Sequence, residues 1–221
     1  MEEWDTYSLI DFMPMEPEVY LRLFVRQNQD VWPFQFVTIG LALAAAWLAW
    51  RGRSRPVGPI MGAAFVWVGY SFFLDMYAEL NWAAAYIGWA FVAQGIATAA
   101  YGVWGRLDFD ASEHHTRFGM SGFGLVGMAL VGYPFWVRIT GRSWEGVELV
   151  GTAPDPTAVM MLGLVVAARE IPWPLVVIPC LWCLYSGATS LAMGWAAGLL
   201  SPVLAVAAIA LAIGKAASRE S

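Results

Sequence analysis

Four polar residues in the first half of the chain have the types and spacing to bind a small solute. Asp75, Glu79 and Asn81 fall within residues 75–81, and Gln94 follows in the next apolar stretch. Paired carboxylates bind cations or exchange protons. The same residues also suit a solvated acidic loop in which Asn81 caps the following helix. The sequence leaves both interpretations open.

A second polar group begins at Asp155, which is followed by Pro156 and Thr157. Asp accepts hydrogen bonds from free N–H groups at a helix start, and Pro is favoured at the first helical position, so this motif predicts a helix cap. The alternative is a broken helix over residues 151–156, of the kind that forms binding sites in transporters. The candidate ligand-binding residues, all expected at the outer interface or just below it, are therefore Asp75, Glu79, Asn81, Gln94, Asp155 and Thr157.

The sequence has one metal-like cluster, formed by Asp108, Asp110, Glu113, His114 and His115. Imidazole and carboxylate groups suit zinc and similar ions. The spacing matches no defined site, and adjacent histidines on a polar loop are usually solvated. No metal is therefore predicted, and His114, His115 and Asp110 are the weak candidates. The sequence does not indicate a cofactor.

Enzymatic chemistry has no support in the sequence. Cys180 and Cys183 have the C-x-x-C spacing of redox proteins, but they lie in an apolar run where a thiolate would be poorly solvated. Packing is the expected role of both cysteines. Because no nucleophile elbow, zinc-protease or phosphate-loop motif is present either, a non-enzyme is predicted.

Long runs without charge determine the predicted architecture. The composition is 59% hydrophobic and 13% charged, far from the roughly 45–50% and 25% of soluble domains. Asp, Glu, Lys and Arg are absent from residues 31–50, 56–74, 80–105, 118–137 and 171–214. A bilayer crossing needs roughly 17–25 apolar residues. The last run is long enough for two crossings and breaks at residues 193–195, so the five runs predict six spans.

A shorter apolar segment, residues 156–168, is the predicted seventh span. Its length also allows a re-entrant hairpin, but that hairpin would place Arg169 in the membrane at a cost of at least about 2.5 kcal/mol. The prediction is an all-α, polytopic transmembrane bundle of about seven spans. It has an N-terminal interfacial segment at residues 1–30, a bundle at 31–214 and a cytoplasmic tail at 215–221, and no signal peptide is expected.

Small residues within the spans predict close helix packing. The pairs are Gly40 with Ala44, Ala84 with Gly88, and Gly124 with Gly127. Residues 17–28 are predicted to form a short amphipathic helix. The Gly194 region matches a G-x-x-x-G pattern, but a turn before the last helix is the favoured interpretation.

Orientation follows from the basic residues of short loops, which favour the cytoplasm. With the N-terminus outside, the inner side holds eight of the twelve: Arg51, Arg53, Arg55, Arg106, Arg117, Arg169, Lys215 and Arg219. The predicted topology is therefore N-out and C-in. The net charge of −5 and the lack of a clustered basic patch exclude nucleic acid as a partner.

Several stretches resemble an uncharacterised prokaryotic family of multi-pass membrane proteins, the domain-of-unknown-function family numbered 6064. The resemblance covers most of residues 20–200 and rests on residues 28–33, 72–94, 151–164 and 172–182. Trp82 departs from the small residue or proline typical at that position. The resemblance implies a prokaryotic membrane protein and transfers no catalytic role.

The expected function is that of a non-catalytic helical scaffold or accessory subunit of a larger membrane complex. Its expected partners are the lipid bilayer, hydrophobic ligands and other membrane subunits, in a prokaryotic inner membrane. The alternative is a small-solute permease with a polar site at the outer interface. Lack of charge within the predicted spans favours the scaffold.

Overall fold

The computed structural model describes residues 17–220, which are 77% helical and contain no strand. The all-α prediction is confirmed. In chain order the helices are α1 (Pro17–Asp30), α2 (Gln35–Trp50), α3 (Val57–Val68), α4 (Ala84–Val103), α5 (Arg117–Gly127), α6 (Tyr133–Ile139), α7 (Pro154–Ala167), α8 (Pro174–Ala192) and α9 (Leu200–Glu220).

Two of these helices are widened by π-helical turns. Helix α3 continues into the π-helix Gly69–Leu74, and the π-helix Met128–Gly132 joins α5 to α6 in one continuous rod. A π-turn inserts an extra residue into a helix and is frequent at functional sites. Each turn therefore changes which residues face the protein interior beyond it.

Four helical stretches in the described residues are long and apolar enough to cross a membrane. They are Val57–Glu79, Arg117–Ile139, Pro174–Ala192 and Leu200–Arg219. Helices α1 and α2 meet at 93° and would form a fifth if they were one broken span. Each of the seven predicted spans coincides with one helix or continuous helical rod. Seven crossings and their orientation stay a prediction.

The connections between these helices gather at two opposite ends. At the first end, which we call the basic end, residues 51–56, 104–116, 168–173 and 215–219 meet. The Ser54 hydroxyl donates to Asp108 Oδ1 at 2.7 Å, and the Arg169 N–H donates to the Asp108 carbonyl oxygen at 2.7 Å. All eight basic residues predicted to lie inside belong to these segments or begin the adjoining helix.

The other end, which we call the acidic end, comprises α1 and residues 75–83, 140–153 and 193–199. Arg26 of α1 pairs with Glu79 at 3.3 Å. The Asn28 side chain donates to the carbonyl oxygens of Glu145 and Val147, both at 2.7 Å. Helix α1 is thus bound to two of the three connections at this end.

Helix α7 occupies the centre of the bundle, and every one of its 14 residues is buried. Its neighbours include α5, α8 and α9. At 1.5 Å per residue it is about 21 Å long, shorter than the roughly 30 Å hydrocarbon layer. Because protein covers its whole surface, the length rule for lipid-facing helices does not limit it.

Glycines allow the closest helix approaches. A Cβ atom on Gly62 of α3 would lie 2.5 Å from the Gly95 carbonyl oxygen of α4, and one on Gly122 of α5 would lie 2.5 Å from the Ala167 nitrogen of α7. The predicted mode of packing is confirmed, but two of the three predicted pairs are wrong, since Gly40, Gly124 and Gly127 face open space. Gly88 does pack closely.

The two ends of the described chain differ in detail from the prediction. Helix α1 forms as predicted, but Tyr20, Leu23 and Phe24 are buried against the protein. Helix α9 continues past the predicted boundary at residue 214, and Lys215 is buried. The first 16 residues of the predicted interfacial segment lie outside the described residues. Gly194, with φ of 66°, forms the predicted turn before α9.

Candidate functional site

A buried carboxylate with four side-chain donors lies at the acidic end of α7. Asp155 Oδ2 accepts hydrogen bonds from the hydroxyls of Tyr133, Ser186 and Ser201, each at 2.8 Å. Asp155 Oδ1 accepts a hydrogen bond from Trp182 Nε1 at 2.6 Å. We call these five residues the Asp155 cluster. It joins α6, α7, α8 and α9 at one point.

Local features of each helix bring these donors together. Trp182 and Ser186 are one turn apart on α8, so they share a face. Gly187 follows, and a Cβ there would lie 2.5 Å from Pro202 Cγ, so the start of α9 approaches α8 closely beside Ser201. Tyr133 comes directly after the second π-helix. The cluster therefore depends on a glycine contact and a widened helical turn.

The predicted capping role of Asp155 is wrong. Helix α7 begins at Pro154, one residue before Asp155, and its N-cap is Ala153. The four hydrogen bonds of the Asp155 carboxylate come from side chains of other helices. Thr157 instead holds the preceding turn, because its hydroxyl accepts from Gly151 N–H at 2.8 Å and donates to the Ala153 carbonyl oxygen at 2.6 Å.

The two ends of α7 hold side chains that suit the helix dipole. The first turn of a helix carries a partial positive charge, which favours an acidic side chain there, and Asp155 lies in the first turn of α7. At the opposite end of α7, the Lys215 ammonium donates to the carbonyl oxygens of Val166 at 3.2 Å and Ala168 at 2.5 Å. Opposite charges thus bind the two ends of the central helix.

A buried ion pair lies close to the Asp155 cluster, on the connection between α6 and α7. Arg142 pairs with Glu148 Oε1 and also donates to the Gly146 carbonyl oxygen at 2.8 Å. Its guanidinium lies over the rings of Phe24, at 4.6 Å, and Trp195, at 5.3 Å. These contacts attach the connection to α1 and to the turn before α9.

The Glu148 carboxylate has fewer hydrogen-bond partners than the Asp155 carboxylate. Its second oxygen, Oε2, is buried and has no hydrogen-bond partner among the described residues. Burial raises the pKa of Glu148 from 4.5 to about 7 despite the opposing charge of Arg142, and the charge of Asp155 adds to the rise. Glu148 therefore keeps its proton to a higher pH than an ordinary glutamate does.

A small cavity separates the two carboxylates. Its volume is about 10 Å³, and both Glu148 and Asp155 line it. Tyr20, Tyr133, Ser186, Ser190 and Trp195 also contribute to its wall. A cavity of about this size holds one water molecule. The site has polar groups on several sides and space for a single non-hydrogen atom.

The three predicted site residues between α3 and α4 lie elsewhere on the acidic end. Asp75 and Glu79 are exposed, and Glu79 pairs with Arg26 across the surface. Asn81 is half-buried, and its side-chain oxygen accepts from the Ala83 N–H at 3.0 Å. This arrangement matches the solvated acidic loop with Asn81 near the helix start. A solute-binding role for the three stays a prediction.

Gln94 has a structural partner that explains its burial. Proline at position 179 of α8 has no N–H to donate to the carbonyl oxygen of Leu175, four residues earlier. The Gln94 side chain donates to that oxygen at 3.1 Å. It also lies 3.4 Å from the Thr98 hydroxyl on its own helix. The amide thus replaces the hydrogen bond that Pro179 removes, and it makes none with Asp75, Glu79 or Asn81.

The weak metal candidates are not arranged as ligands. His114 is buried, with its ring stacked on Trp50 at 4.7 Å and edge-on to Phe123 at 5.1 Å. Burial lowers the pKa of His114, while Asp110 and His115 are exposed. Within residues 17–220 no three His, Cys, Asp or Glu side chains form a group that could hold a metal ion.

Sequence reasoning missed most of the Asp155 cluster. Trp182, Ser186 and Ser201 lie in a charge-free run, where a hydroxyl or indole is unremarkable. The one available signal was the four-residue spacing of Trp182 and Ser186, which places two donors on one helix face. Arg142 and Glu148 lie between two apolar segments, where charged side chains are normally solvated.

Comparison with known proteins places the chain in a family without assigning it an activity. A search of curated proteins and a search of solved structures both found no match. A family model described as "Family of unknown function (DUF6064)" matches residues 17–220. That range includes every helix described above and all residues of the Asp155 cluster. The chain therefore belongs to the DUF6064 family.

Proposed function

We propose that this chain is a non-catalytic multi-pass membrane protein that serves as a helical scaffold or accessory subunit of a larger prokaryotic membrane complex. The observation that carries this proposal is the set of donors to Asp155. Four donors of the chain itself hydrogen-bond to its carboxylate, one to Oδ1 and three to Oδ2. This buried carboxylate is thus used to hold four helices together.

The apolar exterior supports the proposal. On α4, Tyr86, Trp89, Ile96 and Val103 are all more than 60% exposed. Contiguous apolar surface of this kind is characteristic of contact with lipid or with another protein. Because α4 also packs closely on α3 through glycines, it is a rigid element on which a partner can dock.

A cleft between α2 and α3 is the strongest candidate contact. Its volume is about 520 Å³, and its walls, which include Leu41, Ile60, Ala63 and Trp67, are almost entirely apolar. The indole N–H of Trp67 is buried and has no acceptor among the described residues. These features suit a hydrophobic ligand or an apolar helix of a second subunit.

The topology we propose has seven crossings, with the N-terminus outside. Two observations support it. Successive connections alternate between the basic and acidic ends, as an up-and-down bundle requires. The basic residues concentrate at one end, which the positive-inside rule assigns to the cytoplasm. We place the chain in the inner membrane on the same grounds.

A small-solute permease is the alternative, and the site geometry favours it less. A permease needs a cavity that accommodates its solute. The cavity between Glu148 and Asp155 is about 10 Å³, which is enough for one water molecule. The predicted ligand-binding residues also do not converge on one another. Glu79 pairs with Arg26, Asn81 accepts from the Ala83 N–H, and Gln94 donates to the Leu175 carbonyl oxygen. Thr157 bonds to the turn before α7 and Asp155 to side chains of other helices.

Mild extraction of the full chain from its native membrane tests the proposal. We expect a particle larger than one chain in its detergent micelle, with a second membrane protein in fixed stoichiometry. Ala63→Phe, which fills the cleft, should release the bound protein or hydrophobic ligand. Val206→Phe, at an exposed site on α9, is the matched control and should retain it. A monodisperse monomer without a bound partner would contradict the proposal.

A further inference from the structure

The group formed by Asp155, Glu148 and Arg142 has an excess of buried negative charge. Two carboxylates and one guanidinium give a net charge of −1 when both acids are ionised. The residues that line the cavity between the carboxylates include no lysine, arginine or histidine. Unpaired charge is costly in a low-dielectric interior. One bound proton would make the group neutral.

The hydrogen bonds decide which carboxylate carries that proton. Both oxygens of Asp155 already accept hydrogen bonds, four in total. Glu148 receives its donors from Arg142 on one oxygen, and Oε2 has none among the described residues. A proton on Oε2 turns this unsatisfied acceptor into a donor, and Glu148 lines the cavity. The proton therefore belongs on Glu148.

The elements around the cavity contribute few other titratable groups. Helix α1 presents Tyr20, α6 presents Tyr133, and α7 presents Asp155. Helix α8 and the turn before α9 contribute Ser186, Ser190 and Trp195, which do not titrate in the physiological range. Arg142 on the connection itself is the one cation in contact with Glu148 among the described residues. Protonation near neutral pH thus falls on one residue.

We propose that the cavity is a binding site for one water molecule and one proton, with the proton carried by Glu148 Oε2 and donated to the water. The water in turn donates toward the Asp155 cluster. In the loading step an O–H bond of a hydronium ion breaks and an O–H bond to Oε2 forms, which leaves water and transfers no electrons. The site exchanges protons with the acidic end of the bundle, since Thr140 in its wall is half-exposed.

Infrared difference spectroscopy of the full-length protein in detergent tests this site. We expect a protonated-carboxyl C=O band that disappears as pH rises, with a midpoint of about 7. Labelling all glutamates with ¹³C should shift the band, and labelling all aspartates should leave it in place. Exchange into H₂¹⁸O should shift a water O–H band that changes with the same midpoint.

Two variants and the labels make the result decisive. Glu148→Gln should remove the titrating band, whereas Glu145→Gln, an exposed neighbour on the same connection, should keep it. Absence of the band in the wild type, or a band that moves with labelled aspartate, overturns the proton assignment without any variant. A titrating glutamate band without a coupled ¹⁸O-sensitive water band overturns the water site.

Discussion

Replacement of Asp155 by asparagine should loosen the bundle at the point where four helices meet. The substitution keeps the size of the side chain but removes its charge and converts one oxygen into an NH₂ donor. Trp182 Nε1 can only donate, so the remaining oxygen must face the indole. The NH₂ group then faces the hydroxyls of Tyr133, Ser186 and Ser201, which all donate to Asp155 in the wild type.

The expected loss follows from the change in each hydrogen bond. A bond to a charged group contributes roughly 1.5–3 kcal/mol, and a neutral one roughly 0.5–1.5 kcal/mol. Four weakened bonds would cost about 4 kcal/mol if they were additive. Relief of the cost of burying a charge offsets part of this loss. We therefore expect about 2–4 kcal/mol, a large part of the roughly 5–15 kcal/mol that stabilises a typical protein.

The free energy of unfolding, measured by SDS titration of the protein in dodecyl maltoside with helicity as the signal, provides the assay. Asp75→Asn is the matched control, because Asp75 is an exposed carboxylate at the same end of the bundle. The free energy of unfolding of Asp75→Asn should stay within about 0.5 kcal/mol of the wild-type value. If Asp155→Asn were as stable to unfolding as Asp75→Asn, the Asp155 cluster would not hold the helices together.

Four further predictions use the same unfolding assay. Lys215→Met removes the donor to the carbonyl oxygens at the end of α7, so the free energy of unfolding should fall by about 2 kcal/mol. Wild-type stability in this variant would show that the end of α7 needs no cation. Gln94→Leu leaves the carbonyl opposite Pro179 unpaired, so we expect a loss of about 1–3 kcal/mol. Gly62→Ala should lower the free energy of unfolding by about 1–3 kcal/mol. Gly124 faces open space, so Gly124→Ala should leave the stability unchanged or raise it. Because the folded-state pKa of Glu148 is raised from 4.5 to about 7, the folded protein binds the extra proton, and stability should fall as pH rises through that interval. Glu148→Gln should flatten this dependence.

The sequence was sufficient to predict the helices. Each charge-free run became helical, and the last one became two helices, because apolar residues that cannot be solvated must be buried or face lipid. The short segment after Asp155 also became a helix, Pro154–Ala167. Its full burial was not predictable, because burial depends on how the other helices are arranged around it.

The Asp155 cluster could not be predicted because its donors are distant in sequence. Tyr133 is 22 residues before Asp155, and Ser201 is 46 residues after it. Side-chain type gives no indication of such pairings when the donors are hydroxyls within apolar helices. Glu148 was similarly hidden, because a charged residue on a short connection is normally solvated. Here α1 folds over that connection and buries it.

Packing details were predicted in kind, and in position only for the pair of Ala84 and Gly88. Small residues were expected at helix contacts, and the contacts formed at Gly62 with Gly95 and at Gly122 with Gly163. Periodicity cannot distinguish a glycine that faces a neighbouring helix from one that faces lipid, because both surroundings are apolar. The role of Gln94 depended on recognising that Pro179 leaves a carbonyl oxygen without a donor.

The composition of the native particle tests the proposed scaffold role most directly. Mass spectrometry of the full chain ejected from its own membrane vesicles, without detergent extraction, gives that composition. We predict a mass that exceeds the chain alone by a second membrane subunit in fixed stoichiometry, and loss of this excess in Ala63→Phe but not in Val206→Phe. A bare chain in the wild type, or an excess unchanged in Ala63→Phe, would contradict the account.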